Sequence, residues 1–159
     1  MPDMTTWLLR RPDREKYMRH DTIAQLQDIP GLAGLDKKEL AALAKASVPT
    51  AVPAGTVLMT EGRAGKETFI VVEGSVAVQR NGATIAELGA GEFVGEMSVL
   101  DGGLRSATAT CSTDCRLLVI SVPDLRELLD HAPTLSRRLM VSLSTRLRDG
   151  AAGTKGVAR

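Results

Sequence analysis

Residues 91–105 combine glycines, a carboxylate and an arginine in a spacing that could bind an anion. Gly91 and Gly95 carry no Cβ atom, so the backbone there can approach a ligand closely. Glu96 begins a segment that can form about one helical turn, and the free N–H groups of such a turn favour negative charge. Arg105 adds a permanent positive charge and a planar fork of donors that suits phosphate oxygens. Because Glu96 cannot bind phosphate, we expect it to accept hydrogen bonds from sugar hydroxyls, and the segment predicts a sugar-phosphate pocket.

The order of these residues resembles the phosphate-binding cassette of the cyclic nucleotide-binding domain family. The resemblance rests on Phe93-Val94-Gly95-Glu96-Met97-Ser98-Val99-Leu100 and Arg105-Ser106-Ala107-Thr108, within a similarity that extends over residues 22–148. It implies that Arg105 holds a cyclic phosphate, that Glu96 binds the ribose 2′-hydroxyl, and that Gly95 and Ser106 add backbone or hydroxyl donors. The ligand-binding residues that it implies are Val94, Gly95, Glu96, Met97, Ser98, Arg105, Ser106 and Ala107.

Length and composition indicate one globular domain with an aliphatic core. The chain has 159 residues, of which 43% are hydrophobic and only 3% aromatic, so Leu, Val, Ile and Ala must fill the core. The formal net charge is +1, but residues 1–20 and 137–159 together carry +7, which leaves about −6 on the body between them. An acidic body is a poor surface for nucleic acid, so a bound anion needs a local group of donors.

The sequence disfavours several classes of protein and site. It contains no run of about 18 apolar residues that would predict a transmembrane helix. Its N-terminus lacks the apolar centre of a signal peptide, so we expect a cytoplasmic protein with no membrane span. Cys111 and Cys115 are its only thiols, and His20 and His131 its only histidines. Such a set favours neither a metal site nor a nucleophilic triad, and we expect no metal and no enzyme activity.

Residues 47–121 have the pattern of an antiparallel β domain. The run 68–72 is continuously apolar, as expected of a strand buried on both faces, and Gly74 after it fits a bulge or sharp bend. Asn81-Gly82 is a strong hairpin signal. The predicted strands are residues 48–52, 56–60, 68–72, 75–80, 83–88, 106–112 and 116–121. This spacing predicts an antiparallel barrel or a jelly roll and does not decide between them.

Helices are predicted before the strands. Leu26 and Ile29 keep helical spacing, and Asp36 and Glu39 are spaced as a capping box at the start of a helix over residues 37–46. The family resemblance likewise implies an N-terminal helical bundle, so the expected fold class is mainly β with flanking helices, a β-roll or jelly-roll barrel that ends in a hinge and a final helix.

Two further helices are predicted after the strands, starting at Pro123 and at Pro133. The second helix is expected to end near Arg148. It carries a stripe of leucines, namely Leu135, Leu139, Leu143 and Leu147. This stripe could pack on the barrel or on a second copy, which leaves open a homodimer through the helix from Pro133 to Arg148. The arginines expected on the rest of its surface are Arg137, Arg138, Arg146 and Arg148.

We divide the chain into a flexible or helical basic arm over residues 1–20, a cyclic nucleotide-binding domain over 21–149 and a disordered tail over 150–159. In transcription factors of the catabolite activator type, a helix-turn-helix domain follows the final helix, whereas eleven residues follow Arg148 here. We therefore expect no DNA-binding domain in this chain. In those relatives, residues late in the final helix contact the purine, and the positions that correspond by the resemblance are Gly150 and Ala151, which cannot do so. The resemblance therefore leaves the base open, and Ser106 after the arginine is compatible with cyclic GMP. We favour cyclic AMP as the ligand.

Three functions remain open from the sequence. The first is a sensor in which a cyclic nucleotide moves the C-terminal helices and so signals to an effector protein. The second is a degenerate cyclic nucleotide-binding fold that acts as a ligand-independent protein-interaction module. The third is a regulator related to the catabolite activator transcription factors. Such a regulator would bind duplex DNA and retard it in a gel. Binding of ligand, partner or DNA discriminates among them.

Overall fold

The computed structural model describes residues 26–29 and 31–152. The predictions for the arm over residues 1–20 and for residues 153–159 of the tail lie outside the described residues. The helices and strands are α1 (Lys37–Ala46), β1 (Ser47–Val52), β2 (Val57–Met59), β3 (Glu67–Glu73), β4 (Val76–Arg80), β5 (Ala83–Leu88), β6 (Phe93–Val94), α2 (Glu96–Asp101), β7 (Thr108–Cys111), β8 (Cys115–Ser121), α3 (Val122–His131) and α4 (Pro133–Ala152). The predicted fold class, mainly β with flanking helices, is confirmed.

Within the described part of the chain, the strands form two four-stranded antiparallel sheets. The first sheet has the order β1-β8-β3-β6 and the second the order β2-β7-β4-β5. All observed pairings between neighbouring strands are antiparallel. The sequence left open whether the strands form a barrel or a jelly roll. The structure shows a roll of two separate sheets rather than one closed sheet.

The first sheet is buried on both of its faces, which explains the continuous apolar runs of β3 and β8. Phe69 and Leu117 contribute to the core between the two sheets. Their neighbours Ile70 and Leu118 face the other way and pack against the helices. Because successive side chains of a strand alternate between faces, a strand covered on both sides needs an apolar residue at every position, as the sequence predicts.

Two turns adopt the geometry that their residues predict. Asn81 and Gly82 have φ angles of +52° and +80° between β4 and β5, as in the hairpin turn that matches the right-handed twist of the strands. Gly74 has a φ angle of +103°. A Cβ atom at Gly74 would lie 2.5 Å from the carbonyl oxygen of Asp114. The strand pairing shifts register between Val71 and Glu73, so the bulge lies within β3, and Gly74 forms the predicted bend between β3 and β4.

The strand over residues 106–112 is shorter than predicted. Only Thr108–Cys111 joins the second sheet as β7. The backbone of Arg105 instead pairs with the β2–β3 loop, because its carbonyl accepts from Gly62 N at 2.9 Å and its N–H donates to Arg63 O at 2.8 Å. The two-residue strand β6 was not predicted, since two residues show no periodicity.

The predicted capping box at the start of α1 is only half formed, because the side chain of Glu39 bonds elsewhere. Asp36 caps α1 as expected and accepts a hydrogen bond from Glu39 N at 2.8 Å. The Glu39 carboxylate, however, is 4% exposed and accepts from Thr134 N at 2.9 Å and from Leu135 N at 3.2 Å, at the start of α4. Glu39 therefore caps a distant helix, since Thr134 is 95 residues further along the chain.

Two predictions for the final helix are wrong. The helix continues past Arg148 to Ala152, because one interior glycine costs only about 1 kcal/mol and the alanines that follow favour the helix. The first three residues of the predicted tail, 150–152, therefore belong to α4. Arg146 was expected on the surface, but its side chain is 24% exposed and turns toward the cassette. In the leucine stripe, Leu135 and Leu139 are buried against the roll, whereas Leu147 is 72% exposed.

Candidate functional site

A cavity of about 1300 Å³ lies between the second sheet, the cassette and α4. The strands β4 and β5 supply one wall, β6 with α2 another, and the inner side of α4 the third. All eight predicted site residues line this cavity, namely Val94, Gly95, Glu96, Met97, Ser98, Arg105, Ser106 and Ala107. The fold thus brings together the residues that the sequence singled out, and their roles in binding remain predictions.

Arg105 points into the protein rather than into solvent. Its side chain is 5% exposed. The guanidinium donates from Nη1 to Gly95 O at 2.8 Å and to Ser98 Oγ at 2.9 Å, and from Nη2 to Glu67 O at 2.5 Å. Burial lowers the pKa of Arg105, and the carboxylates of Glu67 and Glu96 partly oppose this shift. An arginine remains protonated under such a shift because its ordinary pKa is above about 12, so the cavity contains a buried cation.

Gly95 allows the cassette to turn around this cation. It has a φ angle of +84° and is the N-cap of α2, a conformation that glycine adopts without strain. A Cβ atom at Gly95 would overlap Nη1 of Arg105. Glycine is therefore required at residue 95 both by the backbone and by the close approach of the guanidinium.

Glu96 makes a contact that the sequence did not predict. Its side chain is 1% exposed and forms an ion pair with Arg146 of α4, which donates from Nη1 to Oε1. The other end of the fork, Nη2, donates to Phe93 O at 2.6 Å. One arginine therefore connects the final helix to both the strand and the helix of the cassette.

The position of Arg146 in α4 indicates that its side chain lies on the buried face of the helix. It follows Leu139 by seven residues and Leu135 by eleven, and residues at these separations lie on one face of a helix. Leu135 and Leu139 are buried, so an arginine on the same stripe must find an acidic partner inside. The sequence pattern locates this face, but it does not identify Glu96 as the partner.

Arg80 is a further side chain at the cavity, and the sequence pattern does not predict it there. It lines the cavity from the end of β4 and donates from Nε to Ser106 O at 3.0 Å. The carbonyl of Ser106 thereby has a donor within the protein. The hydroxyl and N–H of Ser106 are the groups that the sequence predicts as donors.

The cavity is rich in charge of both signs. Its arginines are Arg80, Arg105, Arg137, Arg138 and Arg146, and its acids are Glu87, Glu92, Glu96 and Asp101. A buried cation beside a carboxylate suits a ligand with a phosphate at one end and hydroxyl donors nearby. Among residues 26–29 and 31–152, no group of three or more His, Cys, Asp or Glu side chains could hold a metal ion. In that same part, no helix is long and apolar enough to cross a bilayer.

The amino-acid sequence is similar to those of known proteins. The chain is 33% identical over 128 residues to a cyclic nucleotide-gated potassium channel of Rhizobium etli, covering 79% of this chain and 36% of the channel. It is 30% identical over 120 residues to a CRP-like cAMP-activated global transcriptional regulator of Mycobacterium tuberculosis, covering 72% of this chain and 54% of the regulator. The chain thus spans about half the length of these relatives, or less.

A solved structure and a family sequence model also match this chain. The crystal structure of the Thermus thermophilus catabolite activator protein superimposes with a TM-score of 0.67 at 29% identity, covering 82% of this chain and 62% of that one. The sequence model of the cyclic nucleotide-binding domain matches residues 49–132. This range is more than half of the chain and includes the whole cassette. The chain therefore belongs to the cyclic nucleotide-binding domain family.

Proposed function

We propose that this protein is a sensor domain that binds a cyclic nucleotide, with cyclic AMP as the favoured ligand, and signals to an effector protein through its C-terminal helices. The observation that carries this proposal is the buried Arg105, which lies with the cassette residues Gly95 and Glu96 in one cavity. Membership of the family supports the ligand class. One relative is named as cAMP-activated, which favours adenine as the base.

In the bound state, Arg105 holds the cyclic phosphate and exchanges some of its bonds to protein acceptors for bonds to phosphate oxygens. The N–H of Gly95 and the donors of Ser106 add to this site, as the resemblance implies. Glu96 uses Oε1 for Arg146, and its second carboxylate oxygen accepts from the ribose 2′-hydroxyl. Glu96 would then serve the ligand and the final helix at the same time.

The signal follows from this shared carboxylate. A ligand shifts a conformational equilibrium only as far as it binds one state more tightly than the other. A ribose that engages Glu96 favours the state in which Arg146 holds α4 over the cavity, and α4 then presents an altered surface. Met140, Val141 and Leu147 are 60–72% exposed on α4, and this apolar surface suits an effector protein or a second copy of the chain.

We propose binding rather than catalysis, and a cytoplasmic location. The proposed site is built from one buried cation, backbone donors and a carboxylate already paired with Arg146. Such a set binds a phosphodiester without supplying an activated nucleophile. The ligand would therefore leave the site chemically unchanged.

Isothermal titration calorimetry with cyclic AMP, cyclic GMP and 5′-AMP tests the proposal. We expect the wild type to bind cyclic AMP, and Arg105→Ala to bind it roughly 30-fold to several thousand-fold more weakly, which corresponds to about 2–5 kcal/mol. Arg116→Ala is the matched control, since its side chain is 46% exposed and pairs with Glu73 on the surface. Equal affinity of wild type and Arg105→Ala would refute the assigned role of Arg105.

A second candidate function, a ligand-independent interaction module, is favoured by one observation. The Arg105 guanidinium already has three protein acceptors, which are Gly95 O, Ser98 Oγ and Glu67 O. Because these hydrogen bonds must be exchanged, a bound phosphate would contribute less binding free energy at this site. This candidate predicts no heat with either cyclic nucleotide, together with capture of an effector that survives Arg105→Ala.

A further inference from the structure

We propose that Gly65 positions the guanidinium of Arg105, so that the β2–β3 loop forms part of the phosphate site. The inference rests on the proposed function for the role of Arg105 as the phosphate ligand. The sequence predicts Gly65 only as a residue of a loop. Its relation to Arg105 is visible only in the fold, because the two residues are 40 positions apart.

The backbone of Gly65 lies directly against the guanidinium. A Cβ atom built on Gly65 would overlap Nε and Cζ of Arg105 and lie 2.6 Å from Nη2. Non-bonded atoms do not approach so closely, so any side chain at residue 65 must displace the guanidinium or the loop. On the opposite side, a Cβ atom on Gly95 would overlap Nη1. The guanidinium therefore lies between two glycines.

The requirement at Gly65 is one of space and not of backbone conformation. Gly95 has a φ angle of +84°, whereas Gly65 is not among the residues with positive φ. A substitution at Gly95 would combine backbone strain with the clash, and its effect could not be interpreted. An alanine at residue 65 carries no such strain, so its effect passes through Arg105.

The loop cannot simply retreat from an added methyl group. Its backbone is joined to the Arg105 segment by the bond from Gly62 N to Arg105 O at 2.9 Å and by that from Arg105 N to Arg63 O at 2.8 Å. The N–H of Glu61 also donates to Thr108 Oγ1 at 3.0 Å. The guanidinium is the part that can move, at the expense of its bonds to Gly95 O and Glu67 O.

The experiment compares Gly65→Ala with Gly89→Ala. Gly89 also lacks a positive φ angle, and a Cβ atom there meets no atom within 4 Å, so it is a matched control. We expect Gly65→Ala to weaken cyclic AMP binding at least tenfold and Gly89→Ala to leave it unchanged. In an Arg105→Ala background, Gly65→Ala should add no further loss, because the methyl group then has room. An equal loss in both backgrounds, or no loss at all, would overturn the proposal.

A measurement without ligand separates this proposal from the proposed function. In the ligand-free wild type, the Arg105 Nε–H should give a nitrogen-15 NMR signal that is protected from solvent exchange, because the side chain is buried. Gly65→Ala should shift this signal and remove its protection, and Gly89→Ala should preserve both. If the wild type bound no cyclic nucleotide, the proposed function would fail. An unchanged Arg105 signal in Gly65→Ala would defeat the positioning role of Gly65.

Discussion

Arg105 and Arg146 reach the same cavity from distant parts of the chain and have different surroundings. Arg105 is 5% exposed and bonds to two backbone carbonyls and a hydroxyl, whereas Arg146 is 24% exposed and pairs with the carboxylate of Glu96. A cation held by neutral acceptors can exchange them for an anion, while a cation in an ion pair mainly holds its partner in place. We therefore propose that Arg105 binds the phosphate and that Arg146 attaches the final helix to the cassette.

Replacement of Arg146 by alanine tests that attachment. The change leaves Glu96 buried without its cation, so we expect the free energy of unfolding to fall by about 1–3 kcal/mol. We also expect cyclic AMP to bind roughly tenfold more weakly, or about 1.4 kcal/mol, because α4 no longer closes the cavity. Urea denaturation and calorimetry measure the two effects. Arg148→Ala, an exposed arginine on the same helix, should change neither, and tighter binding by Arg146→Ala would mean that Arg146 competes with the ribose for Glu96.

At the scale of elements, α4 is held at its start and in its second half by buried glutamates from other parts of the fold. Glu39 of α1 accepts from the N–H groups of Thr134 and Leu135 in its first turn. Glu96 of α2 accepts from Arg146, about 18 Å further along the helix at 1.5 Å per residue. A helix fixed at its start and held by one ion pair further on is suited to pivot when that ion pair changes.

The contribution of the Glu39 cap can be measured in the helix that it caps. Glu39→Ala removes an acceptor from two N–H groups, and we expect the free energy of unfolding to fall by about 1–2 kcal/mol. Amide hydrogen exchange at Thr134 and Leu135 should accelerate, while Glu39→Gln, which keeps one acceptor oxygen, should lose less. Asp36→Ala is the control because it uncaps α1 alone. Unchanged protection at both amides in Glu39→Ala would contradict the capping role.

At the scale of the whole molecule, the turn from β7 to β8 joins the two sheets, and a thiol lies on either side of it. Cys111 belongs to the second sheet and Cys115 to the first, and both are buried in the core between the sheets. Burial, together with a hydrogen bond to Cys115, raises the pKa of Cys111 to about 12. Ionisation of this thiol is therefore coupled to unfolding, which exposes it to water.

This coupling predicts a loss of stability at alkaline pH. Cys111 keeps its proton in the native state where the unfolded chain has lost it, so the unfolded state binds fewer protons above the ordinary thiol pKa of about 8.5. The free energy of unfolding should then fall as the pH rises from about 8.5 toward 12, and remain independent of this group below that window. Urea denaturation between neutral and alkaline pH should show a smaller fall for Cys111→Ala than for wild type. Equal falls in both proteins would exclude the contribution of Cys111.

The sequence by itself determined those features that neighbouring residues control. The hairpin at Asn81-Gly82, the helix that begins after Asp36 and the bend at Gly74 each follow from local conformational preferences, and all three occur in the structure. The cassette from Gly95 to Arg105 could be located because a tight turn, a short helix and an arginine are close in sequence. Short segments encode such features, since their free energies depend on only a few residues.

Only the tertiary structure decided which residues the buried charged side chains contact. Glu39 bonds to the start of α4, Glu96 pairs with Arg146, and Gly65 lies against Arg105, across separations of 95, 50 and 40 residues. Each contact depends on how the two sheets and the helices pack, and many sequences with the same local pattern could pack differently. A carboxylate or guanidinium is costly to bury alone, so the fold must supply its partner, but residue type and spacing do not identify which residue that partner is.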